Sequence, residues 1–197
     1  MSKIIVFENL SLDGVMQAPG RRDEDLRGGF QHGGWALPYA DAVLGSVAGE
    51  GMATGGGLLL GRRTYEDFYA VWPNRTDNPF TEVLNASPKY VASTTLKEPL
   101  PWMNSILLKG DVPGAVARLR AQPGKDIVVL GSGKLVQTLM KHALVDVYMF
   151  LIHPLILGSG SRLFAGGSAL AALRLVDVKP TTTGVVVATY QPAEPAR

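Results

Sequence analysis

Short apolar runs, separated by segments rich in glycine and polar residues, dominate the hydrophobic pattern of this chain. The runs are rich in leucine and β-branched residues, as is typical of strands that are buried on both faces. The pattern predicts strands at 3–7, 55–60, 89–92, 105–108, 127–130, 145–152, 173–178 and 184–190. Between several of these runs the apolar residues change to helical spacing. That spacing predicts helices at 38–48, from 61 to about 69, at 114–121 and at 134–140.

The order of these elements predicts an α/β fold. Strands that alternate with helices favour a mainly parallel sheet with helices on both faces, a three-layer α-β-α arrangement. The two consecutive strands at the C-terminus, joined around Pro180, predict an antiparallel edge to this otherwise parallel sheet. No linker or internal repeat divides the chain. We therefore expect residues 1–197 to form one domain, with residues 191–197 as a frayed tail.

Composition narrows the function classes. Of the 197 residues 46% are hydrophobic and 18% charged, with a net charge of +2, as in a globular protein without a nucleic-acid-binding stripe. The chain has no cysteine, and its three histidines show no metal-ligand spacing. No apolar stretch approaches the ~20 residues of a membrane helix, and the N-terminus enters a strand without a signal-peptide pattern. We expect a cytoplasmic protein with a small-molecule substrate, without metal, nucleic acid or membrane as partners.

The most informative stretch runs from Asp126 to Leu139, where a buried strand and a helix are joined by Gly131-Ser132-Gly133. A glycine-rich turn at a helix start presents free backbone N–H groups at the positive end of the helix dipole. Such a turn is a ready site for an anion, usually a phosphate. The alternative is a plain strand–helix turn in which glycine only supplies a positive φ.

Two further polar segments follow predicted strands. They are the segment from Gly61 to Thr64, which contains Arg62 and Arg63, and the segment from Ser93 to Thr95. In open α/β sheets ligands bind beyond the carboxyl ends of the strands. These two segments and the Gly131–Gly133 turn are therefore expected to surround one ligand, for which a dinucleotide is the natural candidate.

Several motifs carry a resemblance to a known family. Leu-Leu-Leu-Gly-Arg-Arg-Thr-Tyr-Glu (58–66), Tyr-Val-Ala-Ser-Thr (90–94) and Val-Val-Leu-Gly-Ser-Gly (128–133) stand in the order seen in dihydrofolate reductase. Ser-Leu-Asp-Gly-Val (11–15), Leu-Val-Asp-Val (144–147) and the segment 153–164 are more similar to the reductase domain of riboflavin biosynthesis. The chain resembles the stand-alone members of this dihydrofolate-reductase-like group over nearly its whole length.

The resemblance implies a bound NADPH and hydride transfer to a heterocyclic, pterin- or pyrimidine-like acceptor. It assigns contacts with the cofactor phosphates to three segments, which contain Gly61, Arg62, Arg63 and Thr64, Ser93 and Thr94, and Gly131, Ser132 and Gly133. Dihydrofolate reductases commonly have glycine where this chain has Ser132. The exchange is harmless if φ at that position is negative.

Arg62 is expected to face the 2′-phosphate of NADPH, because a guanidinium fork matches phosphate geometry. No acidic residue follows Leu60 or Ala92, where it would favour a ribose hydroxyl and repel a phosphate. Arg63 is the rival candidate, since two adjacent arginines are not expected to point into one site.

The substrate side matches the family less well. Dihydrofolate reductases carry an acid on the helix after the first loop, and Asp41 is the candidate here, with a solvated position at the helix start as the alternative. Asp13, in the Leu-Asp-Gly turn, is a second catalytic candidate, although aspartate is also a common turn residue. Trp35 and Trp72 are candidates for the wall of a flat-ring site or for core positions. The zinc deaminase signature of the bifunctional riboflavin enzyme is absent.

Two function classes follow. One is an NADPH-dependent reductase with an unidentified acceptor, and the other is a non-catalytic nucleotide- or ligand-binding protein on the same fold. We also expect a homodimer, because the stand-alone members that resemble this chain often associate. The apolar stretch 145–157 could contribute to such an interface, although a central strand would look the same.

Overall fold

The computed structural model describes residues 1–164, 166 and 170–193, without the side chains of residues 52–54. The strands are β1 (Ile4–Ser11), β2 (Gly57–Gly61), β3 (Lys89–Ala92), β4 (Ser105–Leu108), β5 (Ile127–Leu130), β6 (Val147–His153), β7 (Leu173–Pro180) and β8 (Val186–Pro192). The helices are α1 (Ala42–Thr54), α2 (Arg62–Tyr69), α3 (Phe80–Ala86), α4 (Val112–Ala121) and α5 (Gly133–Lys141).

The eight strands form one mixed sheet in the order β4-β3-β2-β5-β1-β6-β8-β7. The first six strands in this order are parallel to their neighbours, whereas β8 pairs antiparallel with β6 and β7. The α/β fold and the antiparallel C-terminal edge are thus confirmed. Parallel strands with covered faces explain why the N-terminal runs are continuously apolar.

Helices cover both faces of the parallel part. Alternate residues of β1, Ile4 and Val6, pack with Val116 of α4 and Val136 of α5 on one face. On the other face, strand residues such as Leu58 and Leu60 pack with side chains of α2 and α3, and Val47 of α1 packs near β6 and β8. Because side chains alternate along a strand, each central strand contributes to both cores.

The first predicted helix begins four residues later than expected, and the second begins one residue later. Leu37–Tyr39 is a separate 3₁₀ turn, and Ala40 and Asp41 are extended before α1 begins at Ala42. The Asp41 side chain accepts a hydrogen bond from Leu44 N–H, so it is the N-cap that sets the start of this helix. In α2 the N-cap is Gly61, and Thr64 lies inside the first turn.

Several other elements also differ from the expectation. The helix α3 was not predicted, because its seven residues are too few to show a clear period. Strand β1 continues past Phe7 to Ser11, although Glu8 and Asn9 are polar. Strand β8 includes Gln191 and Pro192, which pair with Arg174 and Leu173, so the tail begins later than predicted; residues 194–197 lie outside the described part.

Strand β6 lies between β1 and β8 in the sheet. Its position accounts for the apolar residues 147–153 without an interface, and the homodimer stays a prediction. Exposed apolar side chains are found at Ile156, beyond this strand, and on the outer strand β7, at Leu175, Val176 and Val178. Within the described ranges, no helix has the length and apolar character needed to cross a bilayer.

Lys89, the first residue of β3, fixes the loop between α3 and that strand. Its side chain is fully buried, and the ammonium group donates to the carbonyls of Leu84, Asn85 and Ser87 at 2.7–3.1 Å. The ammonium also lies 4.5 Å from the centre of the Trp102 ring. These contacts cap α3 and place β3, whose far end carries Ser93.

We expect Lys89→Met to lower the free energy of unfolding by about 2–3 kcal/mol, because buried carbonyls lose a charged donor. Urea denaturation measures this loss. The exposed Lys97→Met is the matched control and should stay within about 0.5 kcal/mol of wild type. Equal stability of the two variants would show that the Lys89 ammonium contributes nothing net.

Candidate active site

A cleft of about 1200 Å³ runs along the carboxyl ends of the neighbouring strands β3, β2, β5 and β1. Its volume exceeds the ~300–1,000 Å³ typical of a site for one drug-sized ligand. All nine residues assigned to the cofactor by the sequence line this cleft: Gly61, Arg62, Arg63, Thr64, Ser93, Thr94, Gly131, Ser132 and Gly133. The three predicted segments, far apart in the chain, therefore meet in one place.

The turn before α5 has an unusual backbone. Gly131 has a φ of 55°, and Ser132, the N-cap of α5, has a φ of 64° and a ψ of 37°, both in the left-handed region. Serine in place of glycine at position 132 was expected to be harmless only if φ there were negative, and the observed φ is positive. A left-handed conformation costs a non-glycine residue about 1–2 kcal/mol.

The hydroxyl group of Ser132 offsets that cost. It accepts a hydrogen bond from Gly61 N–H at 2.9 Å and lies 3.0 Å from two possible acceptors, Thr64 Oγ1 and Leu130 O. A Cβ at Gly131 would approach Thr64 to 3.2 Å, so this position has little room for a side chain. The serine thus ties the end of β5 to the end of β2 and the start of α2.

The groups around this turn suit the phosphates of a dinucleotide. The first N–H groups of α5 have no partner within the helix and lie at the positive end of its dipole. Lys134 is exposed. Neither Lys134 nor Arg63 makes an ion pair with the described residues. Arg62, by contrast, pairs with Glu66 at 3.1 Å. An exposed pair of this kind is worth only about 0.3–0.5 kcal/mol, so a phosphate can compete for Arg62. Both arginines line the cleft, and the choice of Arg62 over Arg63 as the phosphate contact stays a prediction.

Ser93 has a local role in shaping this cleft. Its hydroxyl oxygen accepts hydrogen bonds from the N–H groups of Thr95 and Leu96, and the residue is buried. This local hydrogen bonding is common for serine at the end of a strand. Thr94, which is exposed, is therefore the better placed of the two hydroxyls for a ligand.

Asp13 lies outside the lining of this cleft and anchors a loop. Its carboxylate accepts hydrogen bonds from the Ser11 hydroxyl, the N–H groups of Leu157 and Gly158, and the Arg162 guanidinium. The Ser11 hydroxyl, with these other donors, holds the pKa of Asp13 well below its usual range. Such a carboxylate stays ionised and cannot supply a proton near neutral pH.

Asp41, the other catalytic candidate, also lies outside the lining. One carboxylate oxygen caps α1, and the other accepts from both the N–H and the hydroxyl of Thr182. The bonds from Leu44 and Thr182 lower the pKa of Asp41. The two tryptophans do not line the cleft either: Trp35 is buried and donates to Gln17 O, and Trp72 packs with Phe68.

The long loop after β1 forms one wall of the cleft. Gln17, which is buried, donates to the carbonyls of Asp25 and Arg27 and accepts from Ser161 N–H. Arg27 in turn bridges Asp25 and Asp67 of α2 at 2.6 and 2.7 Å. These contacts order a segment in which the sequence showed only polar and glycine residues.

Two cleft residues that the sequence analysis missed are Glu8 and Asn9 at the carboxyl end of β1. The amide oxygen of Asn9 lies 2.9 Å from Nε2 of His153, whose pKa burial lowers to about 4, so the imidazole is neutral at pH 7. The edges of Trp35 and Tyr39 pack against this ring. The signal was a pair of polar residues that interrupts an apolar strand, which the analysis took as the end of the strand.

Comparison with known proteins supports this description of the fold. The family model of the RibD C-terminal domain matches residues 2–187. The uncharacterized protein YyaP of Bacillus subtilis (strain 168) is 30% identical over 138 residues, which are 68% of this chain and 72% of that protein.

Two solved structures share the fold at low identity. A pyrimidine reductase-like protein of Corynebacterium diphtheriae superposes with a TM-score of 0.68 at 13% identity, covering 98% of this chain and 92% of that one. Dihydrofolate reductase of Enterococcus faecalis, solved with NADP(H) and RAB-propyl, gives a TM-score of 0.62 at 14% identity, covering 98% and 97%.

The strained turn yields a prediction at Ser132. We expect Ser132→Ala to lower the free energy of unfolding by about 1–2 kcal/mol, because Gly61 N–H loses its acceptor. Ser132→Gly loses the same bond but relieves the left-handed conformation, so it should be about 0.5–1 kcal/mol more stable than the alanine variant. Urea unfolding of both variants measures the difference. A glycine variant no more stable than the alanine variant would contradict the strain at this position.

Proposed function

The chain belongs to the RibD C-terminal domain family, and from this premise we propose that it is an NADPH-dependent reductase of a small heterocyclic acceptor, pterin- or pyrimidine-like. The observation that carries the proposal is the single cleft in which all three predicted phosphate-binding segments meet. NADPH would supply the hydride, and the residues of this chain would hold and orient the two reactants. The pyrimidine reductase-like protein and the NADP(H)-bound dihydrofolate reductase support this choice of cofactor and acceptor class.

The strand order gives the cofactor a direction. The cleft passes from Thr94 after β3, through Arg62 after β2 and Gly131 after β5, to Glu8 on β1. With the pyrophosphate at the α5 N-terminus and the 2′-phosphate at Arg62, the adenosine half would lie towards β3. The nicotinamide half would then lie on the opposite side, over the end of β1.

The cleft also has room for an acceptor beyond the cofactor segments. Its lining continues to Asn9, Ser161 and Phe164, on the β1 side of the phosphate turn. These residues offer amide, hydroxyl and aromatic groups, as a polar flat ring requires. A protein that only stored or sensed a nucleotide would not need this second compartment, which favours the reductase over a non-catalytic binder.

The test is an assay of the purified protein with NADPH and three acceptors: a dihydropterin, an aminouracil and a small carbonyl compound. We expect loss of the reduced-nicotinamide absorbance with the pterin or the pyrimidine. Calorimetry with NADPH alone accompanies the assay. Tight binding of NADPH without turnover of any acceptor would favour the binder, and no binding would refute both functions.

Arg62 provides the sharpest prediction for the cofactor. A charged hydrogen bond is worth about 1.5–3 kcal/mol, and about 1.4 kcal/mol corresponds to tenfold in affinity. Arg62→Ala should therefore weaken NADPH binding roughly ten- to a hundredfold and leave NADH almost unchanged. Calorimetric titration with both cofactors measures this.

Two variants complete that experiment. Arg63→Ala tests the neighbouring arginine, and a loss confined to it would show that Arg63 reads the 2′-phosphate. Glu66→Gln removes the carboxylate that pairs with Arg62 and should slightly strengthen NADPH binding. Equal losses for NADH and NADPH in Arg62→Ala would show that Arg62 is structural.

A further inference from the structure

Glu8 occupies a position on β1 where the pattern of the strand calls for an apolar residue. It lies between Val6 and Leu10 on one face, and those two residues belong to the main hydrophobic core. In the parallel pairing with β6, Glu8 is opposite Phe150, whose ring packs edge-on against Phe164. A carboxyl group in this apolar layer costs free energy unless it is neutral or paired.

The structure provides no compensation for this cost. Glu8 is only 3% exposed, and its Oε1 is buried without a hydrogen-bond partner among the described residues. Burial raises the pKa of Glu8 well above its usual range. Burial therefore favours the carboxylic acid over the carboxylate, and the acid form has a proton to donate.

The other ionisable groups of the cleft differ from Glu8 in their partners, although burial also raises the pKa of Glu24 and of Asp67. Besides Glu8, three carboxyl groups line the cleft, and all three have partners. Asp25 and Asp67 bind Arg27. Glu24 accepts hydrogen bonds from the N–H groups of Gly20 and Arg21. The basic groups that line it are Arg27, Arg62, Arg63, Lys134 and Arg162. On the sheet face of Glu8, Tyr148 is kept neutral because burial raises its pKa to about 12. Glu8 is thus the carboxyl of this lining that has an unpartnered buried oxygen.

We propose that Glu8 is the proton donor of the reductase, and that the acceptor is a heterocycle with a C=N bond whose nitrogen is placed against the Glu8 carboxyl group. This inference rests on the proposed function, because the same cleft must also hold the hydride donor. Glu8 lies on β1, next to the strand that carries the phosphate turn and on the side expected for the nicotinamide.

The chemical step is balanced with these groups. The acceptor carbon receives the hydride of NADPH, which becomes NADP⁺, and the π electrons of the C=N bond move to the nitrogen. That nitrogen takes the proton of Glu8, so the C=N bond becomes CH–NH. The Glu8 carboxylate then regains a proton from solvent. Donation by a positioned acid contributes typically about 10²–10⁴-fold to rate.

The other acids and bases near the cleft are less suited to this role. Asp13 and Asp41 have lowered pKa values and carboxylates that are fully engaged outside the lining. His153 is buried behind Asn9 and is neutral at pH 7.

The kinetic test compares wild type with Glu8→Gln, Glu8→Asp and the exposed control Glu82→Gln, using NADPH with a dihydropterin, which contains a C=N bond. We expect Glu8→Gln to lower kcat about a hundredfold or more and to leave the dissociation constant of NADPH unchanged. Glu8→Asp should recover part of the activity, and Glu82→Gln should match wild type. Wild-type kcat should fall as pH rises through the pKa of Glu8, whereas the glutamine variant should lack that limb. A glutamine variant with wild-type kcat and pH profile would overturn the proposal.

Two measurements on the free protein test the carboxyl group without turnover. Infrared difference spectra between wild type and Glu8→Gln should show a protonated carboxyl band at pH 7, and an ionised Glu8 would overturn the proposal.

The unfolding free energy supplies the second measurement. Since the folded pKa of Glu8 is raised, wild-type stability falls as pH rises above the ordinary value of 4.5, because only the unfolded chain loses the proton. The advantage of Glu8→Gln over wild type should therefore grow from pH 4.5 upwards, and a constant difference would contradict it.

The outcomes separate the two proposals. Wild type that neither binds nor oxidises NADPH would refute the proposed reductase, while the infrared and stability data would still report the state of Glu8. If the Glu8→Gln variant reduces a C=N acceptor as well as wild type does, the proposed reductase stands and Glu8 has no role in the mechanism. Wild type that binds NADPH and reduces the aminouracil or the carbonyl compound but not the dihydropterin would overturn the proton transfer to a C=N nitrogen.

Discussion

The parallel pairing of β3, β2, β5 and β1 is the constraint on which the candidate site depends. Parallel neighbours end on the same edge of a sheet, so the residues that follow each strand come together whatever their distance in sequence. The pairing of Gly57 with Ile127 and of Leu58 with Lys89 sets this register. From it follow the closeness of Gly61 and Ser132, the shared cleft and the order of groups from Thr94 to Glu8.

Hydrogen bonds between segments, together with the ion pairs of Arg27, hold the walls of that cleft. The Ser132 hydroxyl joins the ends of β2 and β5, and Asp13 binds the backbone of the loop at Leu157 and Gly158. Gln17 ties the loop after β1 to Ser161. The bonds to Gly61, Leu157 and Ser161 are partly buried, so a lost partner would leave a backbone group unsatisfied and cost more than an exposed ion pair. A rigid wall of this kind suits a site in which two reactants must be aligned.

The cleft differs in chemical character along its length. Arg63 and Lys134, which make no ion pair with the described residues, lie where phosphates are proposed to bind, and the buried carboxyl of Glu8 lies beyond the phosphate turn. A retained buried polar group with no partner is unusual in a protein core, where such groups are normally hydrogen-bonded. Its stability cost is understandable if a ligand completes the hydrogen bonding, and this is the physical reason to connect Glu8 with the acceptor.

The sequence by itself determined the sheet, most of its strands and the three polar segments after β2, β3 and β5, because apolar periodicity and glycine-rich turns are local signals. It could not decide what each polar side chain does. Asp13 and Asp41 looked like site acids, but their partners, Gly158 and Thr182, are more than a hundred positions away in the chain. Glu8 looked like the end of a strand, yet the chain continues in β1 and buries it between β5 and β6. Burial and long-range hydrogen bonds set the pKa and the role of a carboxyl group, and only the tertiary structure brings those partners together.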